Sequence, residues 1–477
     1  MQKIYGTSGG TSIRYRDVAS SCNELFFQFF KAARERLTLP TDMQPFAQTW
    51  HSKATSTSGS KGRKNMRNTT RLGLSTALAL VIGASSAFAE NVKIAFIDPL
   101  SGPFASTGTN GLHQYEFAAE ELVNKQGGVL GGDKFEIVAF DNKISPKESL
   151  IQLQVAIDQG IRYIAQGNSS GVANALTEAI DKHNKRNPDD RVLFLNYSAV
   201  DPALTNDKCN FWHFRFDANA DIKMDALTDI IAKDDGIKKV YIIGQDYSFG
   251  KAVAAAAVKF LGEKRPDIEI VGNELHPIGK VKDFTPYARK IVSSGADAMI
   301  TGNWGADMVG LGKSVLENGY TGPIYTYYAA ADGITAAFGA AGDGSLRLVS
   351  EGQQNPPASE RAENYVKAFK AKYPDGNVSQ SRITNVIEML AKAINEAGTA
   401  TDVVKVGMAL EGMEHDSLWG GKIFMRPQDH QAIQDVHIFA HTKVEYDYDN
   451  SGYGMLTEST VEMAAMDSPT TCKMKRP

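Results

Sequence analysis

Cysteine is scarce in this chain: Cys22, Cys209 and Cys472 are the only three in 477 residues. No C-x-x-C pair occurs, which excludes a zinc knuckle and a thioredoxin-like redox site. No run reaches the ~20 apolar residues that a membrane-spanning helix needs. Charge of neither sign dominates, with 51 Lys and Arg against 55 Asp and Glu and a net charge of −4. That balance argues against a nucleic-acid-binding surface. Catalytic signatures are missing as well: no G-x-S-x-G elbow, Walker loop, H-E-x-x-H or G-x-G-x-x-G follows any predicted strand. His430, His437 and His441 lie close in sequence, but their spacing fits neither a helical i, i+4 pair nor a zinc finger. Neither a metal nor a cofactor is expected. No short-period repeat of the solenoid type is present.

What the chain does have begins with a compositional break. Residues 1–65 are rich in Ser, Thr, Arg and Lys, lack a sustained period, and end in the polar run Ser52–Asn65. Such a segment has no means of burying a core by itself, and it reads as an extension upstream of the natural start. Residues 66–89 then carry the three parts of an export signal. Arg67 and Arg71 form a positive region, Leu72–Ile82 an apolar one, and Ala87-Phe88-Ala89 an A-x-A cleavage site. Cleavage after Ala89 and a periplasmic mature protein starting at Glu90 are expected. That protein retains Cys209 and Cys472, an even number in a compartment where disulfides persist, so a single bridge between them is predicted.

The stretch Asn91–Gly111 organises the rest. Val92–Ile97 reads as a strand, Asp98-Pro99 breaks it, and Leu112, Tyr115, Ala119 and Leu122 fall at helical spacing. In open parallel sheets ligands collect beyond the carboxyl ends of the strands, which makes Leu100–Gly108 a candidate ligand loop and Ser101 and Phe104 candidate contacts. Further strands are predicted at 135–140, 163–166 and 192–195, with a proline-led, serine-capped helix starting at Ser145-Pro146. The pattern restarts with strands at 240–243, 268–271, 298–301 and 324–327, each followed by a loop or helix. Two consecutive series of this kind predict an α/β protein of two doubly wound, Rossmann-like lobes.

The strand-end loops carry the functional signal. Asn168-Ser169-Ser170 stands where a helix begins, and its hydroxyls, its N–H groups and the helix dipole suit a carboxylate. A plain N-cap serine is the competing reading. Ser198 and Ala199 follow the next strand. Phe104, Tyr197, Tyr247, Phe249, Trp304 and Tyr328 all fall at predicted strand ends, as the wall of a small-molecule cleft requires.

Taken in order, PLSGPFASTG, GNSSGVANALTEA, NYSAVDPALT, GQDYSFGKA and MRPQDHQ resemble the branched-chain amino acid (Leu/Ile/Val) binding proteins. These are the periplasmic substrate-binding components of ABC importers. The resemblance spans nearly all of residues 90–477 and none of 1–65. It implies two lobes joined by three hinge crossovers, with residues 90–214 and 355–425 in one and 215–354 and 426–477 in the other, closing on a ligand held between them. It implies carboxylate contacts at Ser169, Ser170, Ser198 and Ala199, and aromatic contacts at Phe104, at Tyr247 or Phe249, and at Trp304. The acidic partner of the α-ammonium matches Asp332 before Gly333, in an uncertain register, so an aromatic or aliphatic carboxylate without an amine stays open as the ligand. A monomer that delivers an apolar amino acid to a membrane permease, and performs no chemistry, is the resulting expectation. The rivals are a ligand-sensing regulator of the same fold, which would need no export signal, and a secreted hydrolase, whose candidate serines have no histidine in their loops.

Overall fold

The computed structural model describes residues 91–331, 333–447 and 451–477. The extension at 1–65, the export signal and Asp332 therefore lie outside the described residues.

The first lobe is built on a five-stranded parallel sheet ordered β2-β1-β3-β4-β5. Its elements run β1 (Val92–Asp98), α1 (Ala105–Ala118), β2 (Phe135–Asp141), α2 (Pro146–Asp158), β3 (Tyr163–Gln166), α3 (Ser170–Arg186), β4 (Leu193–Asn196) and β5 (His213–Arg215). β3 and β4 are buried along their whole length, which is why they read as unbroken apolar runs rather than alternating ones. Ser145 caps α2 as the sequence predicts, accepting the Glu148 N–H at 3.3 Å. The first helix differs from expectation: a 3-10 turn at Gly102–Phe104 leads straight into α1. The supposed ligand loop at 100–108 is thus mostly helical.

The chain then passes to a second sheet through α4 (Ala220–Ala232), β6 (Lys239–Gln245), α5 (Ser248–Lys264), β7 (Glu269–His276), α6 (Thr285–Ser293), β8 (Ala298–Thr301), α7 (Gly305–Glu317), β9 (Ile324–Thr326), α8 (Ile334–Phe338) and β10 (Leu346–Ser350). Its strand order is β15-β14-β10-β9-β8-β6-β7. The parallel part, 7-6-8-9-10, repeats the 2-1-3-4-5 winding of the first sheet. Antiparallel β14 (Val436–Lys443) and β15 (Tyr453–Val461) extend it at one edge. Between β10 and β14 the chain returns to the first core. There α9 (Glu360–Lys372), α10 (Arg382–Ala397) and α11 (Val403–Leu410) pack beside a small antiparallel sheet of β11 (Glu414–Asp416), β12 (Lys422–Met425) and β13 (Ala432–Gln434). Ile383, Val386, Ile387, Leu390 and Ile394 of α10 fall at helical spacing and are buried in the same core cluster as residues of β1, β3 and β4.

The chain crosses between sheets after β5, after β10 and after β13, and the crossings are tied together. The Ala218 N–H donates to Glu351 Oε1 at 2.7 Å, and Gln434 Nε2 donates to the Phe216 carbonyl at 2.9 Å. A final segment comes back to the first core. Cys472 is bonded to Cys209, with Cα atoms 5.7 Å apart, Thr470 Oγ1 donates to the Thr205 carbonyl, and Arg476 pairs with Glu411.

Candidate functional site

In each sheet the winding reverses between the first and third strand of its series, β1/β3 and β6/β8, and side chains beyond those carboxyl ends meet in one cavity. Counting the open solvent at its mouth, the cavity spans about 530 Å³ of empty space.

On the first-lobe side, the loop after β3 is held from behind by Asp98, the last residue of β1. Its carboxylate is fully buried and accepts three hydrogen bonds: Gly167 N–H at 3.1 Å, Asn168 N–H at 3.0 Å and Tyr197 Oη–H at 2.6 Å. Burial pushes the Asp98 pKa up to about 7, against the pull of those donors. Gly167 has to be glycine, because a Cβ there would lie 2.6 Å from the Tyr197 ring. The backbone then turns through Ser169 at φ +84°, a conformation that a non-glycine residue holds only where its surroundings enforce it. Ser170 begins α3, and neither serine caps it: Ser169 makes no capping bond and Ser170 Oγ accepts the Asp201 N–H at 3.2 Å. The plain N-cap reading therefore fails: no side chain caps the first turn of this long helix, and both serines line the cavity.

On the second-lobe side the wall is aromatic: Tyr247, Phe249, Trp304, Tyr327 and Tyr328. The Trp304 indole N–H donates to Tyr247 Oη at 2.8 Å, and Phe249 packs edge-on against Tyr327 and Tyr328. Tyr328 reaches across to the first lobe, donating to the Ser198 carbonyl at 3.1 Å.

One charged side chain among the described residues lines the cavity, Arg382 at the start of α10. Its guanidinium is buried and donates to the Tyr197 carbonyl at 2.9 Å, and it meets Asp217 at 3.2 Å and Glu351 at 3.1 Å. Lys223 completes a buried quartet, 2.5 Å from Asp217 and 3.3 Å from Glu351. Asp217 lies on the first crossing and Glu351 on the second, so two cations and two anions join both crossings with no net charge. Burial works against the Arg382 charge, but Asp217 and Glu351 outweigh it and hold the guanidinium above its ordinary range. Likewise Lys223 and Arg382 overcome burial to keep Glu351 well below the usual carboxylate range.

Of the residues singled out from sequence, Asn168, Ser169, Ser170, Ser198, Tyr247, Phe249 and Trp304 line the cavity. Three do not. Ser101 is exposed at the outer edge, its hydroxyl donating to Asp141 Oδ2 at 2.6 Å, because the early start of α1 turns it away. Ala199 is buried behind the loop and bonded to Asn196. Phe104 is buried against Trp304, with ring centroids 4.2 Å apart. There it covers the backbone of Gly305, at φ +57°, where a Cβ would lie 2.9 Å from its ring. Tyr197 serves the Asp98 network rather than the cavity. Thr107, within the candidate loop at 100–108, also lines the cavity; sequence reasoning missed Gln380 and Arg382, which reach it from segments with no strand-end signal. The three histidines are engaged separately, His430 with Glu411, His437 with Thr460 and His441 with the Gly339 carbonyl.

Two similarly wound sheets, three crossings and an intervening cavity define a two-lobed α/β binding protein of the type I periplasmic kind. The periplasmic binding protein family matches residues 91–443, and the chain belongs to that family. It is 32% identical over 424 residues to a Leu/Ile/Val-binding protein homolog 4 of Brucella melitensis, covering 85% of this chain and 98% of the relative. A leucine-, isoleucine-, valine-, threonine- and alanine-binding protein from Brucella ovis, solved in a closed conformation, superposes with a TM-score of 0.72 at 29% identity. That match covers 82% of this chain and all of the other. A solute-binding protein of an ABC transporter from R. palustris, in complex with benzoate, shares the fold at TM-score 0.68 and 18% identity, over 80% of this chain and 99% of its own.

Proposed function

We propose that this protein is an exported solute receptor that captures a small carboxylate, an apolar amino acid of the leucine, isoleucine and valine class, and delivers it to an ABC permease. The observation that carries the reading is the pairing of walls in one cavity: uncapped serines at the start of α3 on one side and five aromatic rings on the other. The N–H groups of that first turn and the hydroxyls suit a carboxylate, and the rings suit an apolar side chain. Asn168, Ser169, Ser170 and Ser198 take the carboxylate in this reading, and Tyr247, Phe249 and Trp304 pack on the rest. The two lobes close about the three crossings as the ligand enters. The chain is exported by the signal at 66–89 and acts as a monomer.

Isothermal titration of residues 90–477 with leucine, isoleucine and valine tests the ligand class, and small-angle scattering with and without ligand tests closure. Saturable binding with a smaller radius of gyration is expected. No binding of any of the three would reject the amino-acid reading. A second reading, an amine-free aromatic or aliphatic carboxylate, is favoured by Arg382 being the one charged side chain lining the cavity among the described residues. Titration with 4-methylpentanoate and benzoate separates the two.

A further inference from the structure

A second, smaller cavity, about 300 Å³ of empty space counting open solvent, lies beside the first, and the two share the small residues Ala330 and Ser379 in their walls. Both shared side chains are small, a methyl and a hydroxymethyl group. The wall is firmly built. Asn110 of α1 holds the segment before Ser379 through the Asn377 carbonyl at 3.0 Å, the Asn377 side chain at 3.1 Å and the Asn377 N–H at 3.0 Å. The Asn377 side chain in turn accepts the Ser379 N–H at 3.2 Å.

Two side chains that line this second space each carry a buried polar atom with no hydrogen-bond partner among the described residues: Asn355 Oδ1 and Ser379 Oγ. Asn355 is only 3% exposed and follows the second crossing. A buried amide oxygen left unpaired is costly and uncommon in native structures, and it marks the place of a partner not belonging to the chain. The other lining side chains among the described residues include Thr335, Gln354, Asn377, Tyr446 and Tyr453, none of them charged at neutral pH. The missing partner is therefore a neutral group. It must offer an N–H or O–H to Asn355, and it can accept from the Ser379 hydroxyl. A carboxamide or ureido group does both.

We infer that the two cavities are rooms of one site, and that the protein accepts elongated carboxylates whose distal end carries a neutral carboxamide or ureido group seated between Asn355 and Ser379. This rests on the carboxylate reading of the first cavity and extends it in ligand length and chemistry.

The test is calorimetric, on residues 90–477. Citrulline is compared with 2-aminooctanoate, and 5-ureidopentanoate with octanoate, each pair matched in chain length, with leucine as the short reference. At least tenfold tighter binding of the ureido member of one pair is expected. Asn355→Leu should abolish that preference while leaving leucine within twofold, and Ser379→Ala should reduce it severalfold. If leucine binds but the ureido and all-carbon members bind alike, the orphan atoms are served by water and the extension is overturned while the parent reading stands. If Asn355→Leu folds and keeps the preference, the extension is likewise overturned. If neither leucine nor any chain-matched carboxylate binds, both readings fall. The wild-type comparison and Ser379→Ala decide the matter should Asn355→Leu not fold.

Discussion

Replacing Trp304 and Phe104 by alanine, singly and together, measures what the aromatic contact across the cleft contributes. Phe104 comes from the turn after β1 and Trp304 from the end of β8, so the two rings touch only because the two sheets' loops are brought together, with centroids 4.2 Å apart. Pairs of this kind contribute about 0.5–1.5 kcal/mol beyond simple burial. At about 1.4 kcal/mol per tenfold, that is a two- to tenfold change in Kd if the contact forms on closure. Each single substitution should therefore weaken binding by at least that factor. The double variant should lose less than the sum of the two, by the same coupling energy. Thermal unfolding of the ligand-free forms should move little if, as the proposed closure implies, the unliganded cleft opens and exposes both rings, which are buried in the closed arrangement. Trp304→Phe separates the ring from the indole N–H that bonds Tyr247 at 2.8 Å. A fall of many degrees in the ligand-free melting temperature, with Kd unchanged, would make Trp304 a core residue and refute the reasoning.

Reducing the Cys209–Cys472 bridge, or replacing both cysteines by serine, should lower stability measurably. The residues are 263 apart in sequence, and loop-closure entropy gives an upper figure of about 5.5 kcal/mol; thiol titration of the denatured, unreduced protein should find no free thiol. Asp98→Asn places an amide where three donors converge, so it should weaken ligand binding by disordering the Gly167–Ser170 loop. The folded Asp98 pKa of about 7 lies above its ordinary 3.8, so the stabilisation is complete below the lower value and lost as pH rises through the upper. Denaturation from pH 4 to 7 should show wild type losing up to about 4 kcal/mol relative to Asp98→Asn. Arg382→Leu leaves Asp217 and Glu351 with one cation, and urea unfolding should register a loss of about 3–5 kcal/mol.

The winding was legible because it is written in local pattern. β3 and β4 are short apolar runs ended by polar loops, and α2 announces itself by Ser145 and Pro146. The serines before α3 and the aromatic residues at strand ends were legible for the same reason, since topology puts every such position beside the others. Asp98 misled: Asp-Pro reads as a turn, yet the carboxylate faces inward as the anchor of a neighbouring loop. Ser101 misleads because a glycine–proline pair reads as an open loop, whereas proline suits the first turn of a helix. Arg382 left no trace, because its partners Asp217 and Glu351 lie far off in sequence and only the assembled crossings bring them to it. β5, α4 and α11 were passed over too, the first being only three residues long.

The distribution of contacts also bears on how a receptor of this kind responds to its ligand. The groups that join the crossings are buried and paired charge against charge, so they hold the hinge together whichever way the lobes stand. The contacts that span the cleft include the Phe104–Trp304 pair, the Tyr328 hydroxyl on the Ser198 carbonyl, the Arg382 guanidinium over the Tyr328 ring, and Ile144 packed on the second core. A hydrogen bond of that sort is worth about 1 kcal/mol net, comparable to the ring pair. Each such contact is modest on its own and is set against the hydration that an open cleft would regain. A ligand can shift such an equilibrium only by its differential affinity for the two arrangements. The serine loop and the aromatic wall supply that difference, because each belongs to a different sheet and only a closed cleft lets one molecule touch both. On the proposed function, then, closure is governed by the occupant rather than by the lobes. Substitutions in the cavity should change how far added ligand compacts the protein more than they change its unliganded dimensions.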